Sequence, residues 1–109
     1  MQYIKAASIG ELTSGQKKLI TAEDKKILLI NLEGMYYALD NRCPHMGGSL
    51  YEGEIQGTQI ICPRHGSVFD ITNGRVSQAG KLFMLKVKVK DIQTYPVKIE
   101  NEEIFIVLN

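Results

Sequence analysis

The sequence predicts an all-β domain, a small antiparallel β-sandwich or barrel, on three observations. Short apolar stretches alternate with turn signals at intervals of about eight to twelve residues, which is typical of antiparallel strands. Residues 85–90 alternate apolar and charged side chains with period two, as a half-buried strand does. No internal repeat, low-complexity segment or linker interrupts the 109 residues, so we expect one domain over residues 1–109.

The elements of the first half follow in order along the chain. A first strand precedes residues 8–15, where we expect one helical turn. The segment Ala22-Glu23-Asp24-Lys25 joins the next two strands, and Glu33-Gly34 turns the chain into a fourth strand. The predicted strands of this half cover residues 3–7, 18–21, 26–32 and 35–39.

The second half is predicted to form hairpins. Gly57-Thr58 separates two short strands, and Asn73-Gly74 is the strongest hairpin turn signal in the chain. The closing hairpin turns at Asn101-Glu102. Pro96 near its start indicates an edge position or a bulge, because proline has no N–H for a ladder hydrogen bond. The predicted strands of this half cover residues 54–56, 59–61, 85–90, 95–100 and 103–108.

Composition and charge exclude several functional classes. The net charge is +1 and no run of Lys or Arg is present, which argues against nucleic-acid binding by bulk electrostatics. The longest apolar run, residues 27–32, is too short to span a bilayer, and the first residues lack the pattern of a secretion signal. We therefore expect a cytoplasmic protein that binds neither nucleic acid nor membranes.

Two Gly- and Pro-containing segments do not fit a strand pattern: the first loop, at about residues 41–50, and the second loop, at residues 62–69. Each follows the end of a predicted strand, where a rigid scaffold can hold a site. They contain every Cys and His of the chain, namely Cys43, His45, Cys62 and His65. Thiolates and imidazoles together suit soft transition metals.

The spacing of these ligands favours a pair of metals. The pattern is C-x-H, sixteen residues, and then C-x2-H. Two side chains in C-x-H spacing do not easily reach one tetrahedral metal without a tight turn, but they readily reach two metals a short bridge apart. The hairpin predicted at residues 54–61 returns the second loop to the side of the first.

These motifs resemble the Rieske-type [2Fe–2S] proteins. The matching segments are Cys43-Pro44-His45-Met46-Gly47 and Cys62-Pro63-Arg64-His65-Gly66-Ser67, and the likeness in strand pattern covers nearly the whole chain. The resemblance implies a Rieske-like β-sandwich or barrel in which the two loops form a cluster-binding subdomain. It also implies one [2Fe–2S] cluster per chain, with Cys43 and Cys62 on the inner iron and His45 and His65 on the outer iron.

Further residues of the two loops are expected to support the cluster. Met46 is predicted to be a hydrophobic cover over the cluster at the docking face. Gly47, Gly48 and Gly66 carry no side chain, so backbone N–H groups there can approach the cluster closely. Ser67 matches a serine with which the family donates a hydrogen bond to sulfur, and such bonds tune the potential.

Departures from the family pattern favour a member of lower potential. The high-potential members carry an additional Cys in each loop, and these two form a disulfide; the positions are Gly48 and Arg64 here. Phe69 replaces a hydrogen-bonding tyrosine, and we expect it to pack in the core beneath the second loop. Residues 77–83 contain no Pro, although the family often shields its cluster there with a Pro-containing loop.

The resemblance predicts an electron carrier and not an enzyme. One electron would pass from a reductase to an oxygenase-type terminal enzyme, as in the ferredoxin components of ring-hydroxylating dioxygenases. A terminal oxygenase needs a second, mononuclear iron site with further histidines, and none remain in the chain. Two alternatives stay open: the small subunit of an assimilatory nitrite reductase, and a zinc-stabilised interaction module, because two Cys and two His are a common zinc set.

Overall fold

The computed structural model describes residues 1–44, 48–64, 66–78 and 90–108, and these form three antiparallel sheets. The predicted all-β class is confirmed. The strands are β1 (Gln2–Ser8), β2 (Lys17–Ala22), β3 (Lys25–Leu32), β4 (Met35–Asp40), β5 (Glu54–Gln56), β6 (Gln59–Ile61), β7 (Val68–Asp70), β8 (Val76–Gln78), β9 (Thr94–Tyr95), β10 (Val97–Glu100) and β11 (Glu103–Leu108). A short 3₁₀ turn, Leu50–Glu52, precedes β5.

The three sheets have simple strand orders. The outer sheet has the order β1-β11-β10, the central sheet β2-β3-β4-β9, and the small sheet β5-β6-β7-β8. Neighbouring strands that are consecutive in sequence pair through short turns, so most of the ladder is built from hairpins. Two pairings join strands that are distant in sequence. Strand β4 pairs with β9, and β1 pairs with the last strand, which brings the two ends of the described chain together.

Strand β3 lies between two hydrophobic cores and contributes side chains to both. Ile27 and Leu29 face the first core, which lies between the central and outer sheets. Leu28 and Ile30 point to the opposite side, into the second core, which includes side chains of the small sheet. Side chains alternate between the two faces of a strand, so a strand buried on both faces requires the continuous apolar run seen in the sequence.

Most predicted strands are confirmed within one or two residues, and three expectations need correction. Residues 8–15 hold no helical turn; they form two tight turns, closed by Glu11 N–H to the Ser8 oxygen at 3.0 Å and by Gln16 N–H to the Thr13 oxygen at 3.0 Å. The second loop ends at Ser67, because β7 begins at Val68 and pairs with β6.

The strand predicted over residues 95–100 is divided at Pro96. Tyr95, at the end of β9, pairs with β4 of the central sheet, whereas β10 starts at Val97 and pairs with β11 of the outer sheet. Both β9 and β10 are edge strands, as the proline predicted. The Pro96 carbonyl still accepts the Val107 N–H at 2.9 Å, so the missing donor costs the ladder little.

Asn73-Gly74 lies in the connection between β7 and β8, as predicted, although this connection is longer than a two-residue turn. The strand predicted at residues 85–90 falls almost wholly outside the described residues. In the described part of the chain, no helix is long and apolar enough to cross a membrane.

Candidate metal centre

The first loop leaves the central sheet at a buried asparagine. The Asn41 N–H donates to the Lys26 oxygen at 2.9 Å, which continues the β3–β4 ladder by one residue. Its carbonyl accepts the Leu50 N–H at 2.9 Å, and its side-chain oxygen accepts the Tyr51 N–H at 2.8 Å. Its side-chain amide donates to the Ser49 hydroxyl at 3.0 Å. Asn41 therefore joins the start of the loop to its end.

This role of Asn41 was not foreseen from the sequence. A buried polar side chain is retained where it satisfies backbone groups that no strand partner reaches. The only signal in the sequence is an Asn directly after a strand and two residues before a Cys. That pattern does not reveal which backbone groups it bonds.

The two sides of the first loop are hydrogen-bonded to each other near Cys43. Arg42 and Ser49 form an isolated antiparallel bridge, and the Cys43 N–H donates to the Gly48 oxygen at 2.7 Å. Cys43 is fully buried, with 0% of its surface exposed. The described ends of the loop are thus paired with each other, and the inner pair joins the predicted ligand Cys43 to Gly48.

A lysine of the central sheet holds the end of the first loop. The Lys17 ammonium donates to the Tyr51 oxygen at 2.8 Å and to the Gly53 oxygen, and it lies 5.7 Å from the centre of the Tyr51 ring. Burial lowers the pKa of Lys17 from its ordinary value, because the charged form loses water there. The hydrogen bonds to two carbonyl oxygens compensate this loss in part.

The second loop is closed by its own backbone. The Cys62 N–H donates to the Ser67 oxygen at 2.8 Å, and the Gly66 N–H donates to the Cys62 oxygen at 3.1 Å. Gly66 has φ of +77°, a left-handed conformation that favours glycine. Gly66 therefore serves the turn itself. Cys62 is 1% exposed and Ser67 is fully buried.

The small sheet returns the second loop to the first, as the sequence predicted. Strands β5 and β6 pair from Glu54↔Ile61 to Gln56↔Gln59, which reverses the chain after the 3₁₀ turn. A β-carbon built on Gly53 would stand 2.3 Å from the Ile61 oxygen, so the backbone at the end of the first loop touches the strand that leads into the second. Only glycine permits this approach.

The two loops meet at Gly48. A β-carbon built on Gly48 would lie 3.0 Å from Cys62 Sγ, 2.8 Å from Arg64 Cγ and 3.4 Å from Arg64 Cβ. Gly48 is also the residue whose carbonyl receives the Cys43 N–H. The backbone bonded to one cysteine therefore contacts the sulfur of the other.

The described donors fit a sulfur-bound metal cluster. No disulfide joins Cys43 and Cys62, and both lie in the second core among apolar side chains. A thiolate buried in apolar surroundings is costly unless a positive charge compensates it, and a bound metal supplies that charge. Phe69 is fully buried in the same core, which confirms its predicted place beneath the second loop.

Several predicted site residues lie outside the described residues. These are His45, Met46, Gly47 and His65, together with most of the segment 77–83 that corresponds to the shielding loop. Their predicted roles stay predictions. The described part of the site consists of Cys43, Gly48, Cys62, Gly66 and Ser67.

An ionisable pair lies where the first loop leaves the central sheet. The Tyr95 hydroxyl donates to Asp40 Oδ1 at 2.5 Å, across the β4–β9 pairing. Burial, reinforced by this hydrogen bond and by the charge of Asp40, raises the pKa of Tyr95 above its ordinary value. The Lys25 ammonium lies 5.7 Å from the centre of the Tyr95 ring. These contacts stabilise the strand end from which the first loop departs.

A small β domain with two cysteines buried where two adjoining loops meet is typical of the class of proteins that hold a metal centre through cysteine sulfur. The family model described as the Rieske [2Fe-2S] domain matches residues 2–96. The chain belongs to this family, and its cofactor is a single [2Fe–2S] cluster. This assignment decides against the zinc-stabilised module.

Two curated relatives and one solved structure illustrate the similarity. The chain is 32% identical over 109 residues to the ferredoxin component of the naphthalene 1,2-dioxygenase system of Pseudomonas putida, covering 100% of this chain and 98% of the relative. It is 34% identical over 104 residues to the ferredoxin component of the naphthalene 1,2-dioxygenase/salicylate 5-hydroxylase systems of a Ralstonia species. This match covers 95% of this chain and 93% of the relative.

The solved structure supports the fold. The ferredoxin of carbazole 1,9a-dioxygenase from Nocardioides aromaticivorans IC177 superposes with a TM-score of 0.86 at 20% identity, covering 100% of both chains. At that identity the likeness concerns the fold alone.

Proposed function

We propose that the chain is the ferredoxin component of a multicomponent oxygenase system and carries one electron at a time from a reductase to a terminal oxygenase. The observation that carries this proposal is the end-to-end match to ferredoxin components of dioxygenase systems, which spans nearly the full length of both chains. The chain is an electron carrier and not itself a catalyst. Its two histidines are already needed by the two ligand motifs, which leaves none for a second iron site.

We further propose the ligand set. Cys43 and Cys62 hold the inner iron, and His45 and His65 hold the outer iron. The burial of both cysteines and the contact between the two loops at Gly48 support the cysteine half of this set. The family motif supports the histidine half. Met46, Gly47, Gly48, Gly66 and Ser67 are proposed as supporting residues.

The bound cluster supplies one-electron chemistry, and the chain determines how accessible that chemistry is. Two neutral imidazoles in place of two thiolates make the cluster less negative, which raises its potential above that of a four-cysteine cluster. The chain buries the two sulfurs and holds both loops through backbone hydrogen bonds. Little of the scaffold therefore needs to move when the charge of the site changes.

The terminal partner is proposed to be a ring-hydroxylating oxygenase. The relatives named above belong to naphthalene dioxygenase systems, and one of them also to a salicylate 5-hydroxylase system. The alternative function is that of the small subunit of an assimilatory nitrite reductase. We propose the cytoplasm as the compartment and one domain over residues 1–109 as the organisation. Two cysteines without a disulfide suit a reducing compartment.

Anaerobic purification tests the function. The expected protein is reddish brown, contains two irons and two sulfides per chain, and shows a rhombic electron-paramagnetic signal when reduced. It should restore electron flow from a dioxygenase reductase to a terminal oxygenase, measured as product formed. A colourless protein, or one that instead copurifies with a nitrite reductase large subunit, would contradict the proposal.

A further inference from the structure

Arg64 touches the first loop at one point. Its Cγ and Cβ stand 2.8 Å and 3.4 Å from the position that a Gly48 β-carbon would occupy. Cys62 Sγ stands 3.0 Å from the same position. The aliphatic stem of Arg64 and the cysteine sulfur thus both occupy the space that a side chain at position 48 would need.

Gly48 is a glycine for steric reasons. The φ of Gly48 is not positive, so its backbone conformation is also available to residues with a side chain. It is buried, and any side chain would collide with Arg64 or with the cysteine sulfur. The long side chain of Arg64 in the second loop therefore fills the space that Gly48 leaves open in the first loop.

We propose that Arg64 is a positioning residue whose stem holds the second loop against Gly48 and covers the adjacent sulfur of Cys62. The guanidinium itself reaches solvent, since Arg64 is exposed. Long cationic side chains commonly bury their methylenes while the charge stays in water. The proposal rests on the proposed ligation of the cluster by Cys62.

The stem and the charge have opposite effects on the potential. The potential of an iron–sulfur cluster depends on nearby charge, hydrogen bonds to sulfur and exposure to solvent. Loss of the positive charge disfavours the reduced, more negative cluster and lowers the midpoint. Loss of the stem admits water beside the Cys62 sulfur, which favours the reduced cluster and raises the midpoint.

Arg42 provides a matched control. It is exposed and directly precedes the other ligand cysteine. Among the residues that the structure describes, the ion pairs involve Lys5, Lys18 and Lys98, so neither arginine is held by one. Arg42 and Arg64 therefore have the same charge, are both exposed and both lie next to a ligand in sequence. They differ in the contact with Gly48, which Arg64 makes.

The test compares Arg64→Ala, Arg64→Met and Arg42→Ala in the cluster-loaded protein. With an iron chelator, Arg64→Ala should lose its visible absorbance roughly fourfold faster than the wild type, the factor that corresponds to one lost methylene contact. Arg64→Met keeps the stem and should lose its cluster at the wild-type rate, as should Arg42→Ala. By redox titration, the midpoint of Arg64→Ala should lie above that of Arg64→Met.

Two results would overturn the proposal. One is equal cluster loss in Arg64→Ala and Arg42→Ala, and the other is an Arg64→Met variant as labile as Arg64→Ala. A wild-type protein that binds no iron would instead contradict the proposed function.

Discussion

Gly48 and Gly66 are glycines for different physical reasons. Gly48 has no space for a side chain, because Cys62 Sγ and Arg64 occupy it. Among the residues that the structure describes, no heavy atom lies within 4 Å of a β-carbon built on Gly66, but its φ of +77° disfavours other residues. One glycine is required by packing between loops and the other by the conformation within a loop.

Alanine substitutions separate these two reasons. Gly66→Ala should cost about 1–2 kcal/mol of folding free energy through backbone strain and change the visible spectrum of the cluster less than Gly48→Ala does. Gly48→Ala should instead disturb the cluster spectrum and the iron content, because its methyl group presses on a sulfur that a metal would hold in place. Denaturant titration and absorbance spectra measure the two effects. Identical spectra in both variants would contradict the packing role of Gly48.

Tyr95 gives the protein a predictable response to alkaline pH. Its raised pKa in the folded state means that folding favours the neutral phenol. The stabilisation is complete below the unfolded pKa of about 10 and is lost as the pH rises toward the folded value. Between these values the wild type should lose about 1.4 kcal/mol of stability per pH unit from this group.

Tyr95→Phe tests that response. The variant should be less stable than the wild type at neutral pH by about 1 kcal/mol, because the hydrogen bond to Asp40 is lost. The difference should vanish within about one pH unit above pH 10 and then change sign, because Phe has no phenol to titrate. Denaturant titrations at several alkaline pH values measure it, and a constant difference would show that Tyr95 does not titrate as the geometry implies.

At the scale of elements, each loop depends on a different kind of support. The second loop closes through its own backbone at Cys62, Gly66 and Ser67. The first loop also has backbone hydrogen bonds of its own, and it is held in addition by the side chain of Asn41 at its start and by Lys17 of β2 at its end. The first loop should therefore be the more sensitive to substitution of residues that touch no metal.

Substitution of Asn41 tests this dependence. Asn41→Ala leaves the Tyr51 N–H and the Ser49 hydroxyl without their partner, and a buried unsatisfied group costs about 1–3 kcal/mol. Asn73→Ala is the control, because Asn73 accepts one N–H, from Arg75, in an exposed turn. The control should lose less than about 1 kcal/mol. Equal losses in denaturant titration, with equal iron retention, would refute the assigned role.

At the scale of the whole molecule, the two hydrophobic cores differ in their dependence on metal. The first core lies between the outer and central sheets, and both proposed cysteine ligands lie in the second. The first core is formed by aliphatic and alanine side chains from several strands with Tyr95, and it needs no metal to be stable. The second core loses the compensation of its two thiolates when iron is removed.

Removal of the cluster should therefore unfold the protein in part. The cluster-free protein should keep the far-ultraviolet dichroism of β-structure and slow amide exchange in β1, β3 and β11. Amides of β5–β8 should exchange much faster than in the cluster-loaded protein. Exchange measured by mass spectrometry distinguishes the two regions. Uniform exchange throughout the chain would show that the scaffold needs the metal as a whole.

Local pattern was sufficient for most of the fold. The turn at Gly57-Thr58, the alternating strand residues 103–108 and the apolar run of β3 each carry a signal within a few neighbouring residues. Two features were not predicted: the division of residues 95–100 into β9 and β10 at Pro96, and the pairing of β7 with β6. Each depends on which partner strand a short segment meets, and that partner is distant in sequence.

The ligand motifs, the family and the cofactor class were all determined by the sequence alone, because ligand type and spacing are local properties of two short segments. Tertiary structure alone decided that Asn41 ties the first loop together, that β3 separates two cores, and that Arg64 packs on Gly48. The contacts of Asn41 with Ser49 and of Arg64 with Gly48 join residues that lie 8 and 16 positions apart, and the two cores lie on opposite sides of one strand. Their existence depends on how the folded chain fills space, and no short stretch of sequence carries that information.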